Sequence, residues 1–172
     1  MNTSPDPNTL PPFYKGYVDL VRHMDLSEAL YNSGITTFEL IKSIPEEKGE
    51  FRYAPGKWSI KELLNHVLDA ERIFCYRALR FSRMDSTPLP GFEENDYAPN
   101  ANAHARSLNA FADELARLRA TTIDLFSSFT PEMLQQKGAA NNSTISVINL
   151  GYVIAGHETH HRNILTERYL GA

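Results

Sequence analysis

The chain has 172 residues, 42% of them hydrophobic and 22% charged, enough for one soluble domain with a buried core. A net charge of −4 with no lysine or arginine run excludes the basic stripe of a nucleic-acid binder. The only cysteine, Cys75, excludes an internal disulfide and a cysteine-rich zinc site, and no apolar stretch is long enough for a membrane span.

Residues 1–12, MNTSPDPNTLPP, are polar and proline-rich and carry no apolar signal core. They read as a loose tail ahead of a single domain over residues 13–172, with a cytoplasmic location expected. The first persuasive helix starts at Asp25, a capping carboxylate with Glu28 three residues on. Leu26, Ala29, Leu30, Ile35, Phe38, Ile41 and Ile44 follow at broadly helical spacing, and Pro45 ends the run.

After the loop EEKGEFRYAPGKW, the stretch S-I-K-E makes Ser59 an N-cap and Glu62 its capping-box partner. The apolar face continues through Leu63, Val67, Ala70, Ile73 and Phe74, so this second helix extends to about Met84. The segment from Asp85 to Asn102, rich in Pro, Asn and Asp, reads as a long crossing loop. A third helix is expected over Ala103–Phe129, and Thr130-Pro131-Glu132 opens a short extra turn. After the GAANN break, Ser143 or Thr144 caps a last helix that runs to about Tyr169. No stretch shows a convincing alternating pattern for a sheet. Four long helices in one small domain imply an all-α four-helix bundle.

The last helix carries HETHH, from His157 to His161. Residues four apart on a helix lie roughly 40° apart in azimuth, so His157 and His161 share one stripe. That stripe continues through Ser146, Leu150, Val153, Ile164 and Arg168, and so faces the bundle interior. Glu158 and His160 fall on its shoulders, each about 80° from its centre. Two buried histidines can simply bond to carbonyls or carboxylates. A third on another inward face, His66, shifts the reading towards a metal, since its stripe includes Ser59, Glu62, Ala70, Ile73 and Arg77.

Axial depth tests this independently. His66 lies about 10 Å into its helix, and His157 and His161 lie about 12–18 Å from the end of theirs at Tyr169. The three rings reach a common level only if those two helices run antiparallel. A plain up-down-up-down bundle makes them parallel, whereas an eighteen-residue crossover between the second and third helices permits up-down-down-up. The metal site and the up-down-down-up topology therefore support each other.

HETHH also matches the H-E-x-x-H of zinc proteases, but those need a third ligand downstream, and only eleven residues follow His161. Glu167 is the single carboxylate side chain among them, on the same helix. A di-iron carboxylate site fails on counting, because Glu158-x-x-His161 has no second E-x-x-H to pair with. A mononuclear three-histidine site is the better account.

Three neutral imidazoles leave the full charge on a divalent transition ion and keep a coordination position open. Imidazole suits Zn, Ni, Cu or Fe, and ligand type alone does not choose among them; Zn or Ni is the expectation, with Fe, Cu or Mn also open. Such an ion lowers the pKa of bound water or deprotonates a coordinated thiol. Outer-shell acceptors for the ring N–H groups are then sought in Asp69 and Glu158, although Asp69 would equally pair with Arg72. Glu62 is assigned to its cap, His160 to a partly exposed position, and Trp58 to packing beneath the preceding loop.

The stretches YAPGKWSIKELLNHVLDAERIFCYRALRF, TPLPGF and GHETHHRNILTERYL, in that order, resemble the DinB/YfiT-like metalloenzyme superfamily over about Tyr14 to Tyr169. The resemblance implies an up-down-down-up bundle, often a homodimer, with ligands at His66, His157 and His161. It further implies an enzyme that transfers a low-molecular-weight thiol, such as bacillithiol, mycothiol or glutathione, to an electrophilic small molecule. Where many members read H-R-x-Q after the last ligand, this chain has Asn163-Ile164, so an outer-shell glutamine is missing. Arg52, Lys57 and Arg168 are candidates to hold the carboxylates of a peptide-like thiol, against the plainer reading of solvated charge. A non-catalytic metal-binding bundle and a hydrolase using metal-bound hydroxide are the alternatives.

Overall fold

A computed structural model of the chain describes residues 4–171. Its helices are α1 (Lys15–Asp19), α2 (Leu26–Ser43), α3 (Ile60–Ser82), α4 (Glu94–Asn100), α5 (Leu108–Ser127), α6 (Pro131–Leu134) and α7 (Val147–Ile164). Strands β1 (Lys137–Ala140) and β2 (Ser143–Ser146) pair as a hairpin between α6 and α7.

The long helices α2, α3, α5 and α7 form the bundle, and both α2 and α3 pack on α5 and α7. Side-chain pairings give their directions. Arg106 at the foot of α5 meets Asn65, Arg119 meets Glu71 and Thr122 meets Cys75, so α5 runs parallel to α3. His66, early in α3, meets His157, late in α7, while Phe81 at the far end of α3 covers Gly138, in the hairpin just before α7. Those two helices are therefore antiparallel. Tyr152 donates to the Met24 carbonyl and Gly151 abuts Leu26, which sets α7 parallel to α2. The topology is up-down-down-up, as the histidine levels require.

Local chemistry explains the helix starts. The Asp25 carboxylate accepts from the Glu28 N–H at 2.8 Å. At Ser59 both halves of the capping box form: its hydroxyl accepts from the Glu62 N–H at 3.2 Å, and Glu62 Oε2 accepts from the Ser59 N–H at 2.7 Å. Thr130 caps α6 with Pro131 at the first helical position.

Four boundaries differ from expectation. The third bundle helix begins at Leu108 under a Ser107 cap, because Asn102 is left-handed and Ala103–Ala105 is a separate 3-10 turn. The crossing loop contains α4, and its Leu89 pairs with the hairpin, donating to the Ala139 carbonyl at 2.9 Å and accepting from the Asn141 N–H at 3.1 Å. The GAANN break is the end of β1 and its turn: Asn141 and Asn142, at φ 49° and 58°, supply the two positive φ angles of a type I′ hairpin. Ser143 and Thr144 are consequently strand residues, and Ser146 caps α7.

The N-terminal segment, expected as a loose tail, is tied down from Asp6 onward; residues 1–3 lie outside the described range. Asn149 accepts from the Asp6 N–H at 2.9 Å and donates to the Asp6 carbonyl at 2.8 Å and to Thr9 at 3.1 Å. A buried asparagine side chain needs such partners, and this segment supplies them. No helix among the described residues is long and apolar enough to cross a membrane.

The core divides into two apolar clusters. One contains Leu30, Phe74, Phe81, Phe126, Ile148 and Tyr152; the other contains Ile41, Ile60, Leu68, Phe111, Leu115 and Leu165. Each fully buried large side chain contributes about 1.5–3 kcal/mol through removal from water. On every bundle helix the break between the clusters falls at one level, and polar side chains occupy that level: Ser33 on α2, Glu71 on α3, Arg119 on α5 and Glu158 on α7. The histidines stand beside this layer on α3 and α7.

Candidate metal centre

The capping box fixes where α3 begins and so places His66 on its second turn. His157 and His161 project from the last turns of α7. His66 Nε2 lies 3.0 Å from His157 Nε2, and His161 Nε2 lies 3.1 Å from the same atom. Nitrogens bound about 2.0–2.1 Å from one ion stand roughly 3.0–3.4 Å apart, so the donor set fits a single transition ion. Among the described residues these three form the one group of histidine, cysteine or carboxylate side chains close enough to share an ion.

The electrostatics favour the same use. Burial holds the His66 imidazole down at about 4 and His161 at about 3, the latter helped by the neighbouring rings of His66 and His160. His157, fully enclosed, lies well below the ordinary histidine value, first through burial and then through repulsion from His161, His66 and His160. All three rings are therefore neutral at pH 7, as a metal ligand must be. Aromatic side chains fix their planes: Trp58 lies 4.9 Å from the His66 ring centre, and Tyr17 lies 5.3 Å from that of His157. Phe74 closes the far side of His157 at 6.0 Å.

A cavity of about 220 Å³ opens beside His161, with walls from Tyr53, Lys57, Trp58, Asn95 and Tyr169. Asn95 comes from α4, and Glu94 and Tyr97 of the same helix line a narrow recess against His66 and Asp69. The crossing loop thus roofs the histidines as well as spanning the bundle. The final turn, Leu165–Leu170, is π-helical, and Tyr169 within it donates to the Trp58 carbonyl at 2.8 Å, pinning the loop that borders the cavity.

The remaining candidates separate clearly. Arg52 donates to Glu62 Oε2 at 2.5 Å and to the Lys57 carbonyl at 2.7 Å, which commits it to bracing the cap and loop. Lys57 lines the cavity, and Arg168 lies over the Tyr53 ring at 5.7 Å. Asp69 accepts from Asn65 at 2.7 Å and faces Arg72 at 3.5 Å. Glu158 turns instead to Arg119. Among the described residues neither carboxylate is hydrogen-bonded to any of the three histidine rings, and the buried His161 Nδ1 has no hydrogen-bond partner.

Several neighbours were not foreseen. Tyr17 comes from a five-residue helix without periodicity of its own, and Asn95 from a segment read as loop. Glu71 and Arg119 did leave a signal. Glu71 interrupts the stripe Ile60, Leu64, Val67, Phe74, Ala78, Phe81, and Arg119 interrupts Phe111, Leu115, Thr122, Phe126. A charge within an apolar stripe marks a buried ion pair.

Comparison with known proteins places these features. The family model described as the DinB superfamily matches residues 29–165, which include all three histidines. The chain belongs to the DinB superfamily. A protein from Oceanobacillus iheyensis named "Putative metal-dependent hydrolase OB0413" is 27% identical over 127 residues, covering 72% of this chain and 71% of that one. The solved structure of YfiT from Bacillus subtilis superimposes with a TM-score of 0.69 at 13% identity, over 97% of this chain and 95% of YfiT. YfiT is described as "a probable metal-dependent hydrolase with an unusual four-helix bundle topology", and that likeness is one of fold. The all-α, up-down-down-up reading of this DinB-superfamily chain is borne out.

Proposed function

We propose that this DinB-superfamily protein is a metal-dependent enzyme that holds one divalent transition ion on His66, His157 and His161. It transfers a low-molecular-weight thiol to a small electrophile. The observation that carries the reading is the convergence of three neutral Nε2 atoms beside an open cavity with polar walls. When bound, the ion supplies a Lewis acid that gives a nucleophile at neutral pH.

The chain's own residues do the rest. Tyr17 and Phe74 pack against the His157 ring, and Trp58, itself a wall of the cavity, packs against His66, so the three aromatics hold the rings in place. Lys57 lines the cavity and Arg168 lies over the ring of Tyr53, another of its walls; neither has a carboxylate ion pair among the described residues, so both are available to an anionic substrate group. The carboxylates of a peptide-like thiol suit that pair. Asn95, with an amide that both donates and accepts, is placed to orient a polar substrate.

Hydrolysis is a second reading on the same ligands, favoured by the names of the relatives. One experiment separates the two. Metal-loaded protein is offered glutathione, bacillithiol or mycothiol with a chlorinated aromatic electrophile and, in parallel, an activated ester without thiol. Thiol-dependent conjugation abolished by a chelator supports transfer. Chelator-sensitive ester cleavage without conjugation supports hydrolysis, and neither activity leaves a metal-binding bundle.

A further inference from the structure

Arg119, on α5, is almost wholly buried and touches all three other bundle helices. Its Nε and Nη2 donate to the two carboxylate oxygens of Glu71 on α3, at 3.0 and 2.9 Å. Nη1 donates to the Leu30 carbonyl at 2.7 Å and to the Ser33 hydroxyl at 2.6 Å on α2. Nη2 also donates to Glu158 on α7. Thr122 completes the shell of Glu71 with a hydroxyl donated at 2.6 Å.

We propose that Arg119 is a positioning residue for the metal centre: by holding Glu158 against Glu71 and the α2 backbone, it sets the rotation of α7 that brings His157 and His161 to His66. The inference rests on the metal reading above. Three considerations carry it.

The first is leverage. Glu158 adjoins His157 on one rigid helix. An imidazole nitrogen ~6 Å from the helix axis moves about 2 Å for a roll of roughly 20°. Metal–ligand distances tolerate only about 0.2 Å. A tether one residue from the ligand controls that roll directly.

The second is cost. Apolar residues of similar volume stabilise a core as well as a buried ion cluster does, or better. Apolar contacts are non-directional, however, whereas a guanidinium with bidentate and further hydrogen bonds fixes orientation. A charged cluster at this level is explained by orientation rather than by stability.

The third is accommodation. Gly34 of α2 lies against the Arg119 stem: a Cβ there would stand 2.8 Å from Cγ and 3.2 Å from Nη1. The helix omits a side chain in mid-course and so leaves room for the arginine.

The test uses Co(II) titration of the metal-free protein, reading both affinity and the visible absorption of the bound ion. The triple variant E71L/R119M/E158L should unfold in urea at or above the wild-type midpoint, yet bind Co(II) about 10–100-fold more weakly with an altered spectrum, the penalty typical of lost outer-shell support. Gly34→Ala, which touches no ligand and removes no charge but crowds the Arg119 stem, should weaken binding in the same direction although alanine favours the helix. Glu158→Gln, which keeps an acceptor for Arg119, should stay close to wild type. Should the triple variant fail to fold, Gly34→Ala decides. Unchanged affinity and spectrum in Gly34→Ala and the triple variant would show the cluster to be structural only. A wild-type protein without Co(II) affinity would overturn the metal reading itself.

Discussion

His66 and His157, 91 positions apart in the chain, bring their Nε2 atoms to 3.0 Å across the interface of two antiparallel helices. Replacing His66 by alanine leaves two nitrogens on one helix, a much poorer site. The expected outcome is metal content at background in purified His66→Ala, with helical circular dichroism retained. Full occupancy in that variant would refute the three-ligand assignment.

Lys57 and Arg52 are neighbours in sequence terms but differ in use. Lys57→Ala removes a charge from the cavity wall, so KM for an anionic substrate should rise with kcat and metal content unchanged. Arg52→Ala instead strips a partner from Glu62 and from the Lys57 carbonyl. Its effect should appear first as a lower urea midpoint. A KM effect confined to Arg52→Ala would reverse these roles.

The buried Ser59 hydroxyl anchors the turn that presents His66. Ser59→Ala should cost ~1 kcal/mol of folding stability, within the usual range for lost N-caps, as measured by equilibrium denaturation. A change near zero would show that the Arg52–Glu62 pair supports the helix start unaided.

At Gly156 the backbone of α1 approaches closely, since a Cβ there would lie 2.1 Å from the Tyr17 carbonyl oxygen. Gly156→Ala gains up to about 1 kcal/mol of helix propensity, but the clash is with backbone and overpacking typically costs about 1–3 kcal/mol. Net destabilisation is expected, with Tyr17 lifted from the His157 ring. Unaltered thermal stability would show that α1 yields freely.

Cys75 is pushed up to about 11 by burial, against a partial opposing effect from its hydrogen bond with Thr122. Thiolate is the reactive form, so iodoacetamide should label native protein slowly at pH 8 and urea-unfolded protein quickly. The folded value exceeds the unfolded one, near 9. The unfolded chain therefore loses this proton first as pH rises, and folding stability falls from about pH 9 upward. Rapid native labelling at pH 8 would contradict the burial.

Much of the architecture was legible because its causes are local. Asp25 and Ser59 announce helix starts through hydrogen bonds to residues three positions on, and helical periodicity puts His157 beside His161 whatever the fold. The hairpin was missed for an equally local reason. Asn141-Asn142 carries the turn, but KGAA and STIS lack the alternation that marks a strand, and the contact of Phe81 with Gly138 comes from a distant helix.

By itself, then, the sequence determined the helical periods, the caps, the shared stripe of two histidines and the loop length that permits reversal. These follow from spacing along one chain. Only the tertiary structure decided that Tyr17 seats on His157, that Asn95 roofs the cavity and that Glu158 faces Arg119 rather than a histidine ring. Those partners lie on different elements, and a side chain's choice among distant partners is set by how rigid helices rotate and settle against one another.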